Sequence, residues 1–154
     1  MYGDSGIILS TQDGGVSWNI KYLEDKPYLH SVYFTDSLHG WAVGTDVIMW
    51  GNSLGFVLYS NNGGETWANL SYSGAIYDIL FTDTSKGWTA GGAHNGSTGF
   101  ASSFVLNSID GGVVWNVQLD TFRVGPMYAL HFNDSLNGWA VGGDRGVRDP
   151  PSST

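Results

Sequence analysis

The chain has 154 residues, 42% of them hydrophobic and only 13% charged, which suits one domain with enough apolar side chain for a core. Its formal charge is −8, from 6 basic and 14 acidic residues without any basic run, which argues against nucleic acid as a partner. Cysteine is absent, so disulfides and thiolate metal sites are excluded.

The chain opens on Met1-Tyr2-Gly3-Asp4-Ser5-Gly6, with neither the basic n-region nor the apolar h-region of a signal peptide. Its apolar runs are too short to span a membrane. The first predicted strand is Gly6 to Thr11, followed by a turn and a strand that carries Trp18. Next come strands at 29-34 and, from the Gly40-Trp41 pair, 40-44. The same order returns at Gly55 to Ser60, the segment after Trp67, 76-81, 87-91, Ser103 to Ser108, the segment after Trp115, 127-132 and 138-142. With 23 Gly, 7 Trp, 8 Tyr and 7 Phe, turns and aromatic strands account for much of the composition.

Two phrases punctuate these strands. Thr11-Gln12-Asp13-Gly14-Gly15-Val16-Ser17-Trp18 recurs as Ser60-Asn61-Asn62-Gly63-Gly64-Glu65-Thr66-Trp67 and as Ser108-Ile109-Asp110-Gly111-Gly112-Val113-Val114-Trp115. Between them, Phe34-Thr35-Asp36-Ser37-Leu38-His39-Gly40-Trp41 recurs from Phe81 to Trp88 and from Phe132 to Trp139 with unchanged spacing. The period is about 48 to 49 residues, and such a period signals a repeat architecture. Four short antiparallel strands per unit, lettered A to D from the 29-34 strand, describe one blade of a β-propeller.

The chemistry of the first phrase is that of a turn. Asp13, Asn62 and Asp110 are placed to accept backbone N–H groups, and Gly15, Gly64 and Gly112 supply positive φ. Trp18, Trp67 and Trp115 are expected to bury their rings between neighbouring sheets. Asp36, Asp83 and Asp134 have the same role in the second phrase. Repeated residues of this kind serve folding rather than catalysis.

The pattern hydroxyl-x-Asp/Asn-x-Gly-x-x-Trp resembles the Asp box, or bacterial neuraminidase repeat, with Thr11, Ser60 and Ser108 at the hydroxyl position. The Gly and Trp match in all three copies, and Asn62 is the one departure at the acidic position. The resemblance implies an all-β propeller of four-stranded antiparallel blades. The units are a half blade at 1-22, blades at 29-72 and 76-119, a half blade at 127-143 and a polar tail at 144-154. These make about three blade-equivalents, fewer than the about 4–8 of single-chain propellers. Three arrangements answer this: a fragment of a longer propeller, two chains joining halves into a ring, or an unusually short closed form. The mid-blade start and missing signal peptide favour the fragment.

Gly-Trp-Ala-Val-Gly beside an Asp box is similar to the photosystem II stability/assembly factor-like group. That resemblance implies an exported, non-enzymatic propeller that binds other proteins. The group's arginine-rich patch has no counterpart, since the chain holds only Arg123, Arg145 and Arg148. A sialidase site would need three Arg from separate blades and a Tyr/Glu pair. Glu24 and Glu65 are the only Glu, and Glu65 lies inside an Asp box. No catalytic residue, cofactor or metal site is assigned, and His30, His39, His94 and His131 lack ligand spacing.

Binding is expected where the repeat is interrupted. The B–C connections at 45-54 and 92-102 are long, occupy equivalent positions and emerge on one rim. They carry Asp46, Trp50, Asn52, His94 and Asn95, an aromatic among amides that suits a sugar or a peptide. Asp78, on the small side of its strand A, is the best lone carboxylate, weighed against a solvated channel residue. The expected activity is a non-catalytic binding or scaffold module of an extracytoplasmic bacterial protein, with a protein or glycan ligand. The alternative is part of a glycan-active enzyme whose catalytic residues lie outside this chain.

Overall fold

A computed structural model describes residues 5–24, 28–48, 52–94, 101–122 and 125–143. Among these residues the backbone forms strands and tight turns, with no helix and hence none that could cross a membrane. The first hairpin is β1 (Ser5–Ser10) and β2 (Asn19–Glu24). A four-stranded sheet follows: β3 (Tyr28–Phe34), β4 (Gly40–Ile48), β5 (Asn52–Ser60) and β6 (Ala68–Ser73). The second such sheet holds β7 (Ala75–Phe81), β8 (Gly87–His94), β9 (Ala101–Ser108) and β10 (Asn116–Phe122). The last hairpin is β11 (Met127–Phe132) and β12 (Gly138–Gly142).

Each four-stranded sheet is a simple meander, strand pairing with the next in antiparallel register. The switch between the two sheets takes one residue, Gly74, at φ 93°. A Cβ there would lie 2.9 Å from the Phe104 ring, so the tight passage requires Gly. β7 packs against β3 and β4 of the preceding sheet, and β11 packs against β7 and β8. The first strands of successive units therefore run side by side.

The main core lies between the two four-stranded sheets. Trp41, Val43, Val57, Ile76, Ile79, Phe81, Phe104 and Leu106 are buried there, with Trp115 packed at the margin. Trp41 is 1% exposed and stacks on Phe81 with ring centroids 3.8 Å apart. A smaller cluster of Ala42, Phe56 and Leu58 takes Ile8, Leu23, Leu29 and Trp67 against it. Trp67 and Trp115 are half-buried, and their indole N–H groups are buried without a hydrogen-bond partner. Trp18, expected to be buried, is 56% exposed because no further sheet covers that face of β1–β2 among the described residues.

One other expectation is corrected. The segments 45-54 and 92-102 are not loops throughout. β4 and β5 continue pairing through Asp46↔Leu54, Val47↔Ser53 and Ile48↔Asn52, and β8 and β9 through Ala93↔Ser102 and His94↔Ala101. The ladder satisfies these backbone groups, and β-branched Thr45, Val47 and Ile48 favour extension. The first strand of each unit also carries a bulge. The register shifts between Leu29 and Ser31, between Ile76 and Asp78, and between Met127 and Ala129. His30, Tyr77 and Tyr128 are thus extra residues at equivalent β-bulges.

Candidate functional site

The repeated acidic residues are built into their own turns. Thr11 Oγ1 donates to Asp13 Oδ1 at 2.8 Å, Gly15 N donates to Thr11 Oγ1 at 2.9 Å, and Ser17 N donates to Asp13 Oδ1 at 2.9 Å. Ser60, Asn62, Gly64 and Thr66 repeat this pattern at 2.8 to 3.0 Å. Ser108, Asp110, Gly112 and Val114 repeat it at 2.8 to 2.9 Å. The Ser17 hydroxyl, the Ser17 N–H and Thr11 hold the Asp13 carboxyl down to about 2. Asp110 is also lowered, chiefly by the Val114 N–H and the Ser108 hydroxyl.

Asn62 makes the same contacts with one reversal. The Ser17 hydroxyl donates to Asp13 Oδ2 at 2.6 Å, whereas Asn62 Nδ2 donates to Thr66 Oγ1 at 2.9 Å. A hydroxyl serves either role, so the turn keeps its shape when the carboxylate becomes an amide.

The Gly-Trp turns use their acids likewise. Asp36 Oδ1 accepts the N–H groups of Leu38 and His39, both at 2.8 Å, and His39 Nδ1 lies 2.8 Å from Oδ2. The His39 N–H, then the Leu38 N–H and the His39 ring, bring Asp36 to about 2. Asp83 and Asp134 cap their own turns and are lowered too. The first-phrase hairpin then docks on this turn within each full sheet: Gly63 N donates to Leu38 O, and Gly111 N to Ser85 O, both at 2.9 Å.

Asp78 is neither a lone acid nor a simply solvated one. Its Oδ1 accepts the Ser31 hydroxyl of β3 at 2.7 Å and its Oδ2 accepts the Leu130 N–H of β11 at 2.8 Å. It ties together the first strands of three successive sheets. Beside it the bulge residues form a row: His30 and Tyr77 rings are 5.0 Å apart, as are Tyr77 and Tyr128. His30 Nε2 lies 3.1 Å from Thr45 Oγ1, next to Asp46. Burial lowers His30, while burial first and Tyr128 second raise Tyr77. The row sits at the ends of β3, β7 and β11 that pair near the β4–β5 and β8–β9 connections.

Of the residues expected to bind, Asp46 is half-buried in β4, and Asn52 and His94 lie in strands β5 and β8. Trp50 and Asn95 lie outside the described residues. The sequence sets His30, Tyr77 and Tyr128 at equivalent positions on one face of their strands, but the bulge at each leaves no mark in it. The row's only sequence signal is a polarisable ring at three equivalent positions. Among the described residues no three His, Asp or Glu side chains gather as a metal site would need.

Two clefts remain. One, of about 570 Å³, lies between Tyr33, Phe81 and the Phe132–Ser135 turn. The other, of about 940 Å³, separates β1–β2 from the next sheet and is walled by Trp18, Ile20, Tyr22, Val32, Phe34 and Trp67.

The chain matches no family model, no curated protein and no solved structure.

Proposed function

We propose that the chain is a non-catalytic binding or scaffold module, an arc of an Asp-box β-propeller from an exported bacterial protein. The observation that carries this reading is the full commitment of the repeated carboxylates. Asp13, Asp110, Asp36, Asp83 and Asp134 each accept N–H groups of their own turns, and Asp78 bridges three strands. The turn carboxylates, all held below the ordinary carboxylate range, are poor general acids, since the acid role needs a raised pKa. Two meanders joined in sequence, with their first strands adjacent, support the propeller architecture.

The ligand face in this reading is the rim of the β4–β5 and β8–β9 connections, with Asp46, Trp50, Asn52, His94 and Asn95. The row His30, Tyr77 and Tyr128 adjoins it. Aromatic rings beside amides stack on sugar faces or anchor a peptide. A protein or glycan ligand fits this chemistry.

A glycan and peptide array tests the reading, paired with a glycoside hydrolase substrate panel. Binding is expected, with at least a tenfold loss in Tyr77→Ala at unchanged melting temperature, and no turnover. Hydrolysis of any substrate by the chain overturns the non-catalytic assignment. Binding untouched by Tyr77→Ala moves the ligand off this row.

A further inference from the structure

Repetition makes each Gly-Gly hairpin a control for the others. In the β9–β10 hairpin Ile109, Val113, Val114 and Val117 are between 52% and 69% exposed. The equivalent residues of the β5–β6 hairpin are Asn61, Glu65, Thr66 and Asn69, all polar and all exposed. Those of the β1–β2 hairpin are Gln12, Val16, Ser17 and Ile20. Only the β9–β10 hairpin is aliphatic at all four positions, and the same turn forms elsewhere without an apolar residue at any of them.

Neighbouring sheets do not account for these side chains. On the preceding side the β3–β6 sheet is present in full, and the four remain exposed. On the following side the β5–β6 hairpin is the guide, since the full β7–β10 sheet comes after it and its four equivalent residues are exposed. A sheet on either side therefore leaves these positions in water. Exposed apolar side chains gathered on one element mark a contact with another molecule.

The hairpin that carries them is held firmly. Trp41 is seated against it: its Nε1 donates to Gly111 O at 3.0 Å, and a Cβ on Gly112 would lie 2.7 Å from that nitrogen. Gly111 N donates to Ser85 O at 2.9 Å, and Ser108 and Asp110 close the turn from within. A surface fixed beforehand loses little freedom on binding.

Charge indicates the chemistry of a partner. Residues 109–122 carry Asp110 and Asp120 and no Lys or Arg. The turn on which the hairpin docks adds Asp83 and Lys86, which offset one another. The Val114 N–H and the Ser108 hydroxyl lower Asp110 and keep it ionised. An aliphatic surface edged by fixed negative charge complements apolar side chains flanked by Lys or Arg, and it repels acidic partners. The register shift between Val117 and Leu119 interrupts the outer edge of β10 and disfavours the addition of a further strand there. Docking through the side chains is the mode that remains.

We propose that the β9–β10 hairpin docks an aliphatic, basic segment of another protein on Ile109, Val113, Val114 and Val117. This face is separate from the ligand rim proposed above, since the hairpin lies at the Ser108 end of β9 and the β8–β9 connection at the Ala101 end.

Fluorescence anisotropy with a labelled amphipathic peptide of Leu and Lys tests this on the full chain. Saturable binding is expected, with none to a matching peptide of Leu and Glu. Ile109→Asn, Val113→Glu, Val114→Thr and Val117→Asn together install the residues of the β5–β6 hairpin. Affinity for the Leu/Lys peptide is expected to fall at least roughly tenfold in this variant. The variant is more acidic, so attraction by charge alone gives the opposite change. Its melting temperature reports folding, and Val113→Glu alone repeats the test at the most exposed of the four side chains. Asp110→Asn copies the turn of Asn62 and is expected to weaken binding with the hairpin intact. A wild type that does not bind, equal affinity in the apolar-to-polar variants, or equal binding of the Leu/Glu peptide overturns the proposal. Vesicles of phosphatidylcholine, with and without phosphatidylglycerol, are expected to leave the chain in solution. Partition onto either makes the patch a lipid contact and overturns the protein assignment.

Discussion

Asp78 and Leu130 are joined across two sheets, the carboxylate Oδ2 accepting the backbone N–H at 2.8 Å. The same carboxylate holds Ser31 of the sheet on the other side at 2.7 Å. Sheets that pack face to face through apolar side chains slide easily, since burial is non-directional. A single charged acceptor reaching both neighbours fixes how their inner strands align.

Asp78→Ala removes both bonds, and a third from the Ile79 N–H to Oδ1 at 2.9 Å, and leaves the Leu130 N–H without its acceptor. Loss of about 2–3 kcal/mol is expected, in line with charged hydrogen bonds. Asp78→Asn is expected to be destabilising too, because either orientation of the amide turns its NH₂ on a backbone N–H, that of Leu130 or that of Ile79. Urea titration measures both. A midpoint equal to wild type in Asp78→Ala would reject the tie.

Gly112 and Gly15 occupy equivalent positions, at φ 85° and 91°, but meet different surroundings. An added methyl at Gly112 collides with Trp41, which is stacked and cannot retreat. At Gly15 the nearest atom is 3.8 Å away. Gly112→Ala should therefore cost about 2–4 kcal/mol and Gly15→Ala about 1–2 kcal/mol from the backbone alone. Paired thermal melts read the difference, and equal shifts would contradict the seat of Trp41.

Asn62→Asp asks whether the turn accepts either group. The Thr66 hydroxyl can rotate to donate to a carboxylate as Ser17 does to Asp13. Stability is expected to stay within about 0.5 kcal/mol at neutral pH. A larger loss would mean that the amide proton is required.

Acid should loosen the turns together. Asp13 and Asp36 titrate near 2 when folded, against an ordinary 3.8, and Asp83, Asp110 and Asp134 are lowered as well. A lowered folded pKa means that the unfolded chain takes up protons first as pH falls. The contribution is fully present above about 4 and fades as pH drops towards about 2. Melting temperature followed from pH 7 to pH 2 should hold and then fall in that window. These groups are exposed, so added salt should shrink the effect. A flat profile to pH 2 would reject it.

Much of the fold is legible because its turns are spelled out. Gly40-Trp41, Gly87-Trp88 and Gly138-Trp139 begin β4, β8 and β12, and the Gly-Gly phrases separate β1 from β2, β5 from β6 and β9 from β10. Strand ends facing the other rim were misjudged, since Asp46 and Asn52 read as loop chemistry while their backbones still pair. Trp18 was misjudged because local sequence cannot say whether a sheet has a neighbour. Asp78 was found as a residue but not as a bridge, for its partners lie 47 and 52 positions away. The aromatic row depends on bulges, which alternation hides.

Those bulges have a consequence for how the molecule can change. His30, Tyr77 and Tyr128 each sit opposite no residue on the paired strand. A bulged residue adds no rung to the ladder, so its side chain can be exchanged without changing the register on either side. The slot holds His in one unit and Tyr in two, whereas Val32, Ile79 and Leu130, two residues further on, are all aliphatic. Each unit thus carries one variable slot on an otherwise fixed frame, and the slots line up along one wall. A library restricted to these three codons would vary recognition while leaving the scaffold alone.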